Sequence, residues 1–162
     1  MAGYGTDDQF TQWLTDNGYI LPAGSPEPAV LRQRGSQYVD ALYGDRFIGT
    51  LAGFDHERAW PRTGASLRGV PVPASAVPLP VIYASFYAAL TEARNPDSLN
   101  TMGSASSIVV REKVGALETQ FAGVQGSDVA AALTPLISFV DGMLTPYLRN
   151  PHAACFGIRS VG

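Results

Sequence analysis

A chain of 162 residues, 46% of them hydrophobic, is long enough to bury a core as one domain. Its formal net charge of -3 and isoelectric point near 5.2 lack the basic footprint that phosphate binding leaves, which disfavours generic nucleic-acid binding. The single cysteine, Cys155, excludes an intrachain disulfide framework, and no apolar run approaches the roughly 18 residues of a membrane span, so a product of the reducing cytoplasm is expected.

Thr6-Asp7-Asp8-Gln9 has the form of a capping box, in which the Thr6 hydroxyl meets the backbone N–H three residues on and Gln9 reaches back. Phe10, Trp13 and Leu14 then share one stripe of a short helix, Asp7 and Asp8 complement its dipole, and Asn17-Gly18 supplies a left-handed stop. Ser25-Pro26-Glu27-Pro28 opens a second helix, since proline is tolerated where early N–H groups have no intrahelical partner. Leu31, Gly35, Tyr38 and Leu42 recur at helical spacing, with Val39 and Tyr43 widening the stripe until Gly44 ends it. Arg32, Arg34 and Asp40 fall off that stripe and are expected to face water.

From Asp45 to Val77 the chain reads as a long irregular connection, uncommon unless it has a job. Glu57 to Trp60 is expected to form one helical turn that buries Trp60 before Pro61. A lone Trp beside Pro reads as a buried anchor whose N–H finds a partner, rather than as a platform for a base. Pro71, Pro73 and Pro78 keep the next stretch extended and poor at joining a sheet. Pro78 or Pro80 starts a third helix that runs to about Arg94, with Val81, Ile82, Ala84, Phe86, Ala88, Ala89 and Leu90 around most of its circumference. That is the mark of a helix buried between others.

Residues 108–122 form the most constrained stretch. With Gly115-Ala116 as a two-residue turn, Val114 pairs with Leu117, Glu112 with Thr119 and Val110 with Phe121, while Lys113 meets Glu118 and Arg111 meets Gln120 on the other face. A slip by one residue would carry Glu118 and Arg111 among the apolar groups, so the sequence favours this register. Thr134-Pro135 then caps a fourth helix carrying Leu136, Ile137, Val140, Met143 and Leu144 that ends by Thr145-Pro146. The tail after Leu148 has no helix pattern, although Phe156, Ile158, Arg159 and Val161 suit a short strand.

Signals for chemistry are weak. Asp55-His56-Glu57 are adjacent loop residues that point in different directions with no third group to orient the imidazole, so no enzyme is expected. His152 and Cys155 lack further soft ligands, so no metal is expected, and no phosphate-cradling glycine loop or other cofactor motif occurs. Single-strand binding wants several exposed aromatics in a basic groove, and the sequence offers no such cluster. Charge is uneven, with Asp7, Asp8, Asp16 and Glu27 at one end and Arg149 and Arg159 at the other, which suits contacts between chains.

The order of these features resembles the head-to-tail adaptor, or connector, proteins of long-tailed bacteriophages. The resemblance rests on the first helix ending at Gly18, on Gln37-Tyr38-Val39-Asp40-Ala41-Leu42-Tyr43, and on Ala59-Trp60-Pro61-Arg62-Thr63-Gly64. It continues through the apolar helix after Val77, Glu112-Lys113-Val114-Gly115-Ala116-Leu117-Glu118 and Met143-Leu144-Thr145-Pro146-Tyr147-Leu148. Some members of that group carry the label of DnaT-like single-stranded DNA-binding protein. The resemblance implies a mainly α fold of about four helices with one β-hairpin and an extended C-terminal arm, divided as a domain over 1–148 and an arm over 149–162. It implies a virion neck protein, made in the host cytoplasm, that forms a ring of about twelve copies. Its partners would be the portal protein, a stopper or tail-terminator component and the double-stranded DNA that passes through the channel. Phe156, Ile158, Arg159 and Val161 would then dock on the portal, and Arg111, Lys113, Glu118 and Gln120 would meet neighbouring copies. Single-stranded DNA binding is the alternative.

Overall fold

The computed structural model describes residues 2–53, 55–99, 111–114, 117–120 and 137–149. Among these the fold is mainly α, with helices α1 (Asp7–Asp16), α2 (Pro28–Tyr43), α3 (Leu79–Arg94) and α4 (Ser138–Leu144) and 3-10 turns at Gly44–Arg46 and Thr145–Tyr147. Three short antiparallel pairs join them: β1 (Thr50–Leu51) with β2 (Arg62–Thr63), β3 (Ser66–Leu67) with β4 (Val70–Pro71), and β5 (Arg111–Val114) with β6 (Leu117–Gln120). No helix among the described residues is long and apolar enough to cross a membrane.

The capping box forms as the sequence predicts, with Gln9 N donating to Thr6 Oγ1 at 3.1 Å and Thr6 N donating to Gln9 Oε1 at 3.0 Å. Gly18 follows α1 at φ +67°, a conformation in which a Cβ would be strained. Phe10, Trp13 and Leu14 are buried, and the Phe10 ring lies 5.1 Å from that of Phe86 on α3. All seven apolar residues predicted to wrap α3 are buried, which makes it the core helix. Its closest neighbour is α2, and the approach depends on Gly35. A Cβ there would sit 2.2 Å from the Ser85 carbonyl oxygen and 2.7 Å from Ala89 N, both backbone atoms that cannot swing aside.

The hairpin keeps the predicted register over its described residues: Arg111 opposite Gln120, Glu112 opposite Thr119, Lys113 opposite Glu118 and Val114 opposite Leu117. The Val110–Phe121 pair, the Thr134-Pro135 cap and the arm after Arg149 lie outside the described residues.

Arg32 corrects the expectation that it faces water, whereas Arg34 keeps a side chain that is 42% exposed. Arg32 is buried, and its Nη1 donates to the carbonyls of Gly3, Tyr4 and Gly5 while Nε meets Asp7 at 2.7 Å. It thereby ties the N-terminal strand of chain to α2. Arg34 Nη1 meets Glu92 Oε1 at 2.9 Å, and Glu92, buried on α3, also accepts from Asp97 N and Leu99 N. A helix stripe counts apolar residues and cannot report that an arginine is wanted by carbonyls elsewhere in the chain.

The connection between α2 and α3 is organised by Arg62, whose side chain is buried. Nε donates to Ile48 O at 2.9 Å, Nη1 to Ala59 O at 3.1 Å and Gly44 O at 3.4 Å, and Nη2 to Gly49 O at 3.1 Å. One guanidinium fork thus satisfies four carbonyls of the connection. The Glu57–Trp60 turn predicted as helical is a series of bends, and Trp60 is buried as expected. Its Nε1, however, has no hydrogen-bond partner among the described residues, against expectation. Pro71 does join a ladder, opposite Ser66 at the end of a two-residue pair closed by Arg68-Gly69, both at positive φ. A pair this short asks little of the donor that proline lacks.

Gly35→Ala is expected to destabilise the fold by about 2 kcal/mol or more, since the overlap is with backbone. Gly142→Ala, where a Cβ meets nothing within 4 Å, is expected to stabilise it by up to about 1 kcal/mol. Urea unfolding of the two variants beside the parent chain checks both, and a neutral Gly35→Ala would show that α2 and α3 do not cross this closely.

Candidate functional site

Two surfaces gather residues with functional chemistry. The first is a polar cleft of 380 Å³ whose lining includes Asp40, His56, Glu57, Arg58, Arg62 and Arg149. Its groups are engaged with the fold. The Tyr4 hydroxyl donates to Asp40 Oδ1, Arg58 Nη1 donates to Asp40 Oδ2 at 3.2 Å, and Ala59 N donates to Asp40 Oδ1 at 3.3 Å. Trp60 N in turn donates to the Tyr4 hydroxyl at 3.1 Å. This chain of bonds holds the first residues, α2 and the Trp60 segment together, and it corrects the expectation that Asp40 faces water. Arg149 Nη2 donates to Gly49 O at 2.9 Å and its N–H to Arg46 O at 2.7 Å, beside the isolated bridge of Phe47 and Leu148. The descending chain is thereby fastened to the same segment, sharing the Gly49 carbonyl with Arg62. His56 and Glu57 are exposed at the rim, and neither has a hydrogen bond to Asp40.

Burial shifts the titration of this cleft. It raises the Tyr4 hydroxyl well above the ordinary phenol range, which keeps it a donor. It lowers Arg62 from the ordinary guanidinium value, helped by the nearby charge of Arg149. For Asp40, burial raises the pKa above 3.8, outweighing the lowering by Tyr4, Arg58 and Ala59. A raised carboxyl contributes stability that is present below its ordinary pKa and is lost as pH rises through the folded value. Relative to Asp40→Asn, the parent chain is therefore expected to gain stability as pH falls from 7 toward about 4. Denaturant midpoints of both chains over that range check the sign, and a widening deficit of the parent on acidification would reverse it.

The second surface is aromatic. Trp13 and Tyr19 from α1 and its exit, Tyr83 and Tyr87 from α3, and Phe139 from α4 converge on one face. Tyr87 is the centre, with its ring 4.7 Å from Trp13 edge-on, 4.5 Å from Phe139 and 6.1 Å from Tyr19. The Arg94 guanidinium stands 5.2 Å over the Tyr19 ring. The face encloses 330 Å³, Phe139 is 57% exposed and Tyr83 37%. Such a face can stack on planar groups or pack against an apolar partner. The sequence shows no set of exposed aromatics in a basic groove; the structure adds an aromatic face that spacing does not reveal, because its residues come from three elements that meet only after folding. The surroundings are not basic, however, since Asp16 lines the face and Arg94 is the cation placed there.

Of the residues predicted to make contacts, Arg111, Lys113, Glu118 and Gln120 occupy one face of the β5–β6 ladder by register. Phe156, Ile158, Arg159 and Val161 lie outside the described residues. Among the described residues no three His, Cys, Asp or Glu side chains gather where a metal ion could be held.

No curated protein and no solved structure matches the chain. One family model matches residues 3–160, from the N-terminal strand tied down by Arg32 to beyond Arg149. Its description corresponds to the label that some members of the resembled adaptor group carry, and it names no portal, ring or tail partner. With a match over nearly its whole length, the chain belongs to the family described as "Putative DnaT-like ssDNA binding protein".

Proposed function

We propose that the chain acts through protein contacts, as a head-to-tail adaptor subunit that assembles in a ring below a portal and continues the DNA channel toward the tail. The observation that carries this reading is where the cations are. Of the eleven Lys and Arg residues, Arg32, Arg34, Arg58, Arg62 and Arg149 donate to carboxylates and carbonyls of the fold. Arg46, Arg68 and Arg94, exposed among the described residues, stand on three separate segments. A chain that binds single strands tightly needs a cationic track along the backbone; among the described residues none forms, which suits a channel wall past which duplex DNA slides. In this reading Arg111, Lys113, Glu118 and Gln120 meet the neighbouring copy, and the segment with Phe156, Ile158, Arg159 and Val161 reaches the portal. Weak contacts repeated around a closed ring would add to firm attachment. No catalytic role is proposed for Asp55, His56 or Glu57.

A second reading, single-stranded DNA binding, is favoured by the family description and by the exposed aromatic face. It makes a separate demand: Phe139→Ala with Tyr83→Ala would weaken oligonucleotide binding by about 1 to 3 kcal/mol for each stacked base lost, or roughly 5- to 150-fold.

Co-sedimentation with cognate portal rings separates the two. Saturable binding of the intact chain, lost when the chain ends at Arg149 and unmatched by labelled single-stranded DNA, is the expected outcome. Tight DNA binding that falls with the aromatic pair, together with no affinity for the portal, would establish the second reading instead.

A further inference from the structure

We propose that the apolar groove between the β3–β4 hairpin and α4 is a dock for the chain's own segment Phe156 to Val161. The groove holds 640 Å³ and is walled by Leu67, Val70, Val72 and Pro73 on one side and by Met143 and Tyr147 on the other. Val70 is 67% exposed at the hairpin end. An apolar concavity of this size on a small chain normally has an occupant.

The occupant follows from where the chain goes. Pro146 and Tyr147 belong to the groove wall, and two residues later Arg149 is fastened to Arg46 and Gly49. The segment therefore departs from beside the groove. Asn150-Pro151 favours a turn directly after that anchor. The seven residues after Arg149, Asn150 to Phe156, reach up to about 25 Å when extended, enough to double back. Phe156 and Ile158 share one side of an extended chain, so both can enter the groove while intervening Gly157 adds no bulk on the other side. Residues 150–162 carry no acid, and Arg68 at the rim has the same charge as Arg159. The contact is therefore apolar rather than ionic and should hold in high salt. Tethering gives it an effective concentration in the millimolar range, so shallow burial suffices. The proposal is independent of the partner assigned to the chain. In a free adaptor subunit it would keep the segment covered until a partner competes for it.

The single cysteine places a probe beside the segment. A nitroxide attached to Cys155 is expected to broaden the methyl resonances of Leu67, Val70, Val72 and Met143 within the same molecule, equally at low and high salt. Phe156→Ser with Ile158→Ser should return those signals to the intensity of the diamagnetic sample, without change in the rest of the spectrum. Mixing isotope-labelled Cys155→Ser chain with unlabelled spin-labelled chain tests the other occupant. Broadening of the Cys155→Ser chain in the mixture would assign the groove to a second copy, and no broadening in either sample would leave the segment elsewhere; each result overturns the proposal.

Discussion

Four backbone carbonyls between Gly44 and Ala59 converge on the Arg62 guanidinium, with Gly49 O shared with Arg149, and the connection between α2 and α3 is arranged around that convergence. Apart from the 3-10 turn at Gly44–Arg46 and a two-residue ladder the segment is irregular, so its polar groups need side-chain donors or water. A lysine could not replace the fork, because three donors on one nitrogen cannot span carbonyls on both edges of a planar guanidinium. Once the segment is fixed, Phe47 and Trp60 meet with ring centroids 5.7 Å apart, and Tyr147 packs edge-on to Trp60 at 6.3 Å. Arg149 then closes the same segment from outside, so the described end of the chain depends on an interior cation.

Arg32 and Glu92 repeat the device at other junctions. Arg32 gathers three successive carbonyls of the N-terminal strand, and Glu92 gathers the two amides that turn the chain after α3. Buried charges held this way are costly to expose partially, because removing one partner leaves the other desolvated. The consequence for function is direct. Arginines engaged with carbonyls are not offered to phosphate, and among the described residues one outward face is aromatic.

Local signals were legible in the sequence and convergent ones were not. The capping box at Thr6 and Gln9, the stop at Gly18, the buried wrap of α3 and the Lys113–Glu118 register each rest on residues a few positions apart, where spacing alone sets geometry. Arg32, Arg62 and Glu92 were unreadable because their partners are defined by tertiary position. The Arg68-Gly69 turn lacks the Asn-Gly or Asp-Gly signature, so the β3–β4 pair went unseen. The aromatic face illustrates the same limit: Trp13, Tyr87 and Phe139 lie far apart in sequence, and no helical or strand spacing joins them. A count of aromatics on amphipathic helices whose stripes are wider than one neighbour can cover would have been the available clue.

Among the described residues five arginines hold the fold and the exposed ones form no track for phosphate. The most direct test of this arrangement is the affinity of the purified chain for a fluorescent single-stranded oligonucleotide, followed by anisotropy across a series of salt concentrations. The expected result is no saturable binding at physiological ionic strength and no steep rise in affinity as salt is lowered. Submicromolar binding whose logarithm falls steeply with the logarithm of salt, reporting release of several counterions, would contradict it.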